Sequence, residues 1–373
     1  MTSNTELNAQ RPVKASINLK ALAANLERVK ELAPHSRVIS IIKADAYGHG
    51  VLPVAKALLE SDCFAVARLD EALYLRQNGI EKSIILLEGV LAIEDYRHCH
   101  EQQFTPLIHS LEQFQWLLQF LETNPQRRMD YWLKFDTGMH RLGLAEDELK
   151  QILDIFAQPN FDWLPAGVMS HFACADELVN SANRKQLTQF NKLCSKLPKM
   201  EKSMANSAAI LSIPEAHFDW VRPGIMLYGV TPFEASKPAR IGLDEQLQPV
   251  MTLSSKLIAI KQLQQGDCVG YGSTWCCPED MSIGVVAIGY GDGYPRHAPS
   301  GTPVLIHGIE VPLIGRVSMD MITVDLRSVT ATIGDKVVLW GEGLPIEYVS
   351  QKAGTIAYEL LCQITQRVDF EYE

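Results

Sequence analysis

Eight short apolar runs, rich in β-branched residues and starting about 26 residues apart, dominate the chain from residue 38 to residue 229. They are VISIIK (38–43), FAVAR (64–68), SIILLEG (83–89), TPLIHS (105–110), YWLKFDTG (131–138), PAGVMSHF (165–172), KSMANS (202–207) and WVRPGIMLYG (220–229). Helical patterns separate them. In LKALAANLERVKELA, Leu22, Leu26, Val29 and Ala33 fall on one helical face, and LEQFQWLLQFLE and LKQILDIF behave alike. Eight strand–helix units in about 210 residues fit a (β/α)8 TIM-type barrel. An open doubly wound sheet is the competing arrangement, because a miscount of one or two strands would change the answer.

After residue 240 the texture changes. MTLSSKLIAIKQL, SIGVVAIGYG, TPVLIHGIEVPLIGRVSMDMITVDL and DKVVLWGEG are rich in Val, Ile and Thr, alternate, and are broken by Gly-Asp turns. No long helical pattern intervenes until GTIAYELLCQI. The spacing predicts a mainly antiparallel β domain over 241–373, following a barrel over 12–240. A polar stretch with Pro and Gly near 235–245 reads as the linker. The segment ASINL (15–19) could pair with either domain.

Lys and Arg number 34 against 44 Asp and Glu, a formal charge of −10. An acidic chain with no basic run lacks the footprint of a nucleic-acid binder. No run approaches the ~18 apolar residues of a membrane span. The polar start MTSNTELNAQRP has no signal-peptide core. The eight cysteines are scattered without a CxxC pair, which predicts reduced thiols in a cytoplasmic protein.

Candidate chemistry begins in IIKADAYGHG (41–50). A lysine ending the first barrel strand, Lys43, would point into the barrel mouth, where barrel enzymes do their chemistry. Among Ile41, Ile42 and Ala44 it loses hydration and becomes an amine able to form a Schiff base with an aldehyde cofactor or a carbonyl substrate. Pairing with Asp45 is the plainer alternative. Tyr47, beside Gly48 and Gly50, suits a phosphate.

Phosphate sites in barrels often follow strands seven and eight. Here ANSAA supplies Ser207 and RPGIMLYG supplies Gly224, whose lack of a side chain lets backbone amides approach an anion. An ordinary Pro-Gly turn and a helix-capping serine would read the same. Arg141 in FDTGMHRLG could clamp a carboxylate, and His171 in MSHFACAD could orient a neighbour. Taken singly, each also fits a structural role. His171 has no HxH or HExxH partner and no second ligand at metal spacing, so no metal site is expected there. In the second domain Tyr271 (GYGSTW) and Tyr290 (GYGDGYPR) sit among glycines, where turn aromatics also occur.

Taken together, KADAYGHG, DTGMHRLG, SHFACAD, NSAA, RPGIMLYG, GYG, GYGDGYPR and GRVSMDM, in this order, resemble the alanine racemase family of fold-type III pyridoxal 5′-phosphate enzymes. The resemblance runs nearly end to end. It implies interconversion of L-alanine and D-alanine by two bases, pyridoxal 5′-phosphate as cofactor, and a homodimer whose active sites take residues from the partner's β domain. By the same resemblance Lys43 would hold the cofactor and serve one face of the substrate, with Tyr271 serving the other. Arg222 would face the pyridine nitrogen, with His171 beside it. Arg141 would lie near the cofactor phenolate and substrate carboxylate, next to Lys134, which relatives carry as a carbamate. Tyr47, Ser207, Gly224, Ile225 and Tyr358 would form the phosphate site. The Met319 amide would bind the substrate carboxylate with Asp320 beside it, and Tyr290 would stand at the entrance.

Two features depart from that pattern. The tail ITQRVDFEYE lacks the Pro-Arg that often follows in relatives, which predicts only a local difference at the dimer surface. Cys276-Cys277 matches no family role. A broad-specificity amino-acid racemase of the same fold and a non-catalytic pyridoxal-phosphate carrier are the alternatives. The first is typically exported and disulfide-bonded; the second lacks the β domain and the second-face tyrosine.

Overall fold

Each of the eight β-rich runs contains a strand, and the strands close into a parallel barrel. The computed structural model describes residues 12–159, 161–233 and 240–373. The polar start up to residue 11 and positions 234–239 of the expected linker lie outside the described residues. The first strand, β1, is Lys14–Ile17. The barrel strands are β2 (Arg37–Ile41), β3 (Cys63–Val66), β4 (Ile84–Leu86), β5 (Phe104–Ile108), β6 (Trp132–Lys134), β7 (Gly167–Met169), β8 (Glu201–Asn206) and β9 (Trp220–Arg222). They pair in sequence order, and β9 closes on β2 through Arg37 opposite Trp220 and Val38 opposite Val221. Closure rules out the open sheet. Strands β3, β4, β6 and β7 are buried along their whole length, as parallel strands covered on both faces must be.

The helices follow their predicted faces. In Leu19–Leu32 the residues Leu22, Leu26 and Val29 are buried, and Asn18 caps the start by accepting from the Ala21 amide at 2.9 Å. Ser110 does the same for Leu111–Thr123, accepting from Gln113 at 3.2 Å. Among the described residues no helix is long and apolar enough to cross a membrane.

The second domain is built from β10 (Met251–Leu263), β11 (Cys268–Val269), β12 (Trp275–Cys276), β13 (Met281–Val286), β14 (Pro303–Ile306), β15 (Ile309–Ile314), β16 (Ile322–Asp325), β17 (Lys336–Trp340) and β18 (Asp369–Tyr372). The main sheet runs β13-β16-β15-β14-β17-β10-β1-β18. The long β10 also pairs with β13, so six strands close on themselves. All but one of its pairings are antiparallel. The exception involves the ASINL segment, whose strand β1 lies antiparallel to β10 and parallel to β18. The chain's first strand thus belongs to the sheet of its last domain. The tail supplies the edge strand of that sheet, β18, beside β1.

Candidate active site

Strand β2 ends at Ile41, two residues before Lys43, so Lys43 is not the strand end that the sequence suggested. It opens a left-handed turn instead. Ala44, Asp45, Ala46 and Tyr47 have φ between 51° and 54°. Left-handed helical backbone costs roughly 1–2 kcal/mol per non-glycine residue, so the surroundings must hold this one. The Ala44 amide donates to Glu71 Oε1 at 2.7 Å, and Asp45 Oδ1 accepts from the Val51 amide at 2.7 Å. Tyr47 stacks on Tyr228 with ring centres 4.8 Å apart. Asp45 is thereby engaged with the first amide of the helix Val51–Ala57, whose N-cap is Gly50. Strain of this kind concentrates at functional sites.

Past β8 and β9, Ser207 Oγ accepts from the Gly224 amide at 2.9 Å and from the Met226 amide at 3.4 Å. Its own proton is left to donate. A β-carbon on Gly224 would stand 2.6 Å from the Tyr47 hydroxyl, so the cradle is shaped to the absence of a side chain. Ile225, buried, opens the short turn Ile225–Tyr228. Tyr358 completes the wall, its ring centre 6.0 Å from that of Tyr47. Burial pushes both phenols up, so both keep their protons and can donate to an anion. The residues present fit a phosphate group.

Beside this cradle the cations converge. Arg222, buried at the end of β9, donates to Ser203 Oγ at 2.7 Å and to the Ser170 carbonyl at 2.6 Å. Burial lowers it to about 9, which leaves it a cation at neutral pH. Its Nη2 lies 3.2 Å from His171 Nδ1. Burial, then Arg222, hold His171 well below its ordinary value, so the imidazole is neutral. Lys134, buried at the end of β6, is pushed down to about 8 by burial and then by Arg222, Arg141 and Lys43. Arg141 is carried on an exposed loop folded back by Leu144, whose amide donates to the Lys134 carbonyl at 2.7 Å. The Asp136 carboxylate braces that loop by accepting from Gly138 and His140 amides.

The structure therefore gathers Lys43, Lys134, Arg141, His171 and Arg222 at one end of the barrel with the Tyr47–Ser207–Gly224 cradle. The remaining four expected residues form a second group on the β domain. The Tyr290 amide donates to the Ser318 carbonyl at 3.1 Å, and Gly291 to Met319 at 2.9 Å. Tyr271 stands on the β11–β12 ribbon, whose Gly272 packs near the Arg316 guanidinium. Tyr271 is 67% exposed and Met319 52%.

Sequence reasoning missed three contributors. Arg367, from the tail, pairs with Asp320 at 2.5 Å and with Asp292 at 3.4 Å, bracing the Tyr290–Met319 loops. Glu71 holds the turn after Lys43. Cys268 and Cys276 form a disulfide at the base of the Tyr271 hairpin, which overturns the expectation that all eight cysteines are reduced. The pairing was concealed because register, not spacing, sets Cys268 opposite Cys276.

Comparison with known proteins bears on both groups. The family description "Alanine racemase, N-terminal domain" matches residues 17–232 and "Alanine racemase, C-terminal domain" matches residues 250–372. An alanine racemase of Aeromonas hydrophila subsp. hydrophila is 48% identical over 96% of this chain and 98% of the relative. The biosynthetic alanine racemase of Escherichia coli (strain K12) is 47% identical over 95% of this chain and 98% of its own. Among solved structures, the biosynthetic alanine racemase of Pseudomonas aeruginosa superposes with a TM-score of 0.91 at 40% identity, covering 98% of this chain and 100% of the other.

Proposed function

The chain belongs to the alanine racemase family, and from that premise we propose how its residues interconvert L-alanine and D-alanine. The observation that carries the reading is the convergence of Lys43, Lys134, Arg141 and Arg222 beside the hydroxyl cradle of Tyr47 and Ser207. A phosphorylated cofactor with anionic oxygens, approached by the carboxylate of a zwitterionic substrate, matches that charge distribution. Pyridoxal 5′-phosphate, when bound, supplies an electron sink that acidifies the substrate Cα–H.

Lys43 would hold the cofactor covalently and move a proton on one face of Cα. Tyr271 of a second copy would move the proton on the other face, because inversion requires a base and an acid on opposite sides. Its exposure in the single chain, with that of Met319, supports a homodimer with shared sites. Arg222 would face the pyridine nitrogen and, as a donor only, keep that nitrogen unprotonated. His171 fixes the guanidinium. Tyr47, Ser207, Gly224, Ile225 and Tyr358 would hold the phosphate. Arg141 and the Met319 amide would bind the substrate carboxylate, Asp320 would support that loop, and Tyr290 would guard the entrance. Lys134, poised near neutrality, would react with carbon dioxide to give an anionic carbamate that steadies Arg141.

Relatives from Shigella sonnei and Escherichia coli are named biosynthetic, which supports supply of D-alanine for peptidoglycan precursors in the cytoplasm. Four buried unpaired thiols suit that compartment. Replacing Tyr271 by Phe tests the reading: racemisation should be lost while the cofactor stays bound. Full racemase activity in Tyr271→Phe would refute the two-base assignment.

A further inference from the structure

The hairpin that carries Tyr271 is thinly tied to the rest of the protein. Strands β11 and β12 make a ribbon of two residue pairs, Cys268 opposite Cys276 and Val269 opposite Trp275, separate from the main sheet. Beneath it lies a small cluster of Val269, Cys277, Met281, Ile283 and Ile314, apart from the main core. The tip is exposed, and Gly270, Gly272 and Ser273 take φ of 72°, 74° and 47°. A two-stranded ribbon is marginal in water, and glycines in such a loop give it many alternative conformations. The bond between Cys268 and Cys276 closes the ribbon at its base, across a sequence separation of 8, and removes much of that freedom.

We infer that the Cys268–Cys276 disulfide is a positioning clamp for Tyr271, and that a dithiol that opens it slows proton transfer on the tyrosine face. The inference rests on the reading of Tyr271 as a proton-transfer group. Both cysteines are exposed in the single chain. One thiolate of the dithiol attacks a cysteine sulfur, the Cys268–Cys276 bond breaks, and the second thiolate closes a cyclic disulfide. Two electrons pass to the protein, and both cysteines leave as thiols. Re-forming the bond takes two electrons out again, passed to an oxidised thiol such as oxidised glutathione, which leaves as two thiols, so the clamp answers to the balance of dithiol and disulfide around it.

The test uses the holoenzyme. Titration of the unfolded chain should give six thiols after oxidised glutathione and eight after a dithiol, since six of the eight cysteines are unpaired. Opening the bond should lower kcat about tenfold, short of the roughly 10²-fold that a 1 Å misplacement costs. The primary isotope effect of α-deuterated alanine should rise with one enantiomer and fall with the other, because only one face is slowed. Loss of folded enzyme would leave isotope effects unchanged. The double variant Cys268→Ser, Cys276→Ser should behave as the reduced enzyme and ignore the dithiol. Eight thiols after oxidised glutathione, or an opened bond with unchanged isotope effects, overturns the clamp. Tyr271→Phe, assayed alongside, separates the failures: an active Tyr271→Phe sinks the proton-transfer reading, whereas an inactive one with no dithiol response sinks the clamp alone.

Discussion

Arg222 Nη2 stands 3.2 Å from His171 Nδ1, and the guanidinium must donate because it has no acceptor. Nδ1 therefore accepts, and the neutral imidazole carries its proton on Nε2. The pair fixes a tautomer as well as a position. Arg222→Met should let His171 titrate nearer its ordinary value, because Arg222 is the second-largest cause of its lowering after burial. Arg222→Lys keeps the charge but not the fork to Ser203 and Ser170. Each buried acceptor left unpaired should cost about 1–3 kcal/mol in denaturant unfolding. Imidazole resonances followed against pH check the first expectation; a His171 that does not move contradicts it.

His49 sets an acid limit to stability. Its Nδ1 donates to the Tyr47 carbonyl at 2.9 Å, while its Nε2 is buried without a partner among the described residues. Burial lowers its pKa from 6.5 to about 4. The unfolded chain takes up this proton first, so stability present above pH 6.5 is lost as pH falls towards 4. The loss should reach about 3 kcal/mol. His49→Asn, which keeps a donor and removes the titration, should flatten that decline in urea midpoints between pH 7 and 4.5.

The phosphate cradle predicts a suppressor pair. Gly224→Ala places a carbon 2.6 Å from the Tyr47 hydroxyl, an overlap that costs on the order of 1–3 kcal/mol. Cofactor affinity should fall about tenfold or more. Adding Tyr47→Phe makes room and should recover part of the affinity, although Tyr47→Phe alone weakens it. Equilibrium dialysis of pyridoxal phosphate checks this; strictly additive losses would contradict the contact.

How much of this was legible beforehand depended on where the information lies. The barrel could be read because each buried parallel strand is a local apolar run, and the cation set because each member sits in a strand–loop segment of its own. Lys43 looked like a strand residue because its apolar neighbours hide the left-handed turn, which contacts from outside the turn sustain: Glu71, Val51 and the ring of Tyr228. The placement of β1, the bracing by Arg367 and the Cys268–Cys276 bond all depend on pairing between segments far apart in sequence or on register. No local pattern encodes those.

Lys134, at about 8, is partly unprotonated near neutrality, and only a neutral amine combines with carbon dioxide. Enzyme equilibrated with ¹³C-bicarbonate should show a carbamate resonance that fades as pH falls below 8 and is absent from Lys134→Ala. A resonance that survives the substitution would belong to another amine.

In this mechanism Lys43 and Tyr271 act on opposite faces of one Cα. Chiral analysis of L-alanine incubated with the enzyme in D₂O tests it most directly. D-Alanine carrying deuterium at Cα is the expected product. Enzyme with bound cofactor that forms no D-alanine and exchanges no α-proton would contradict it.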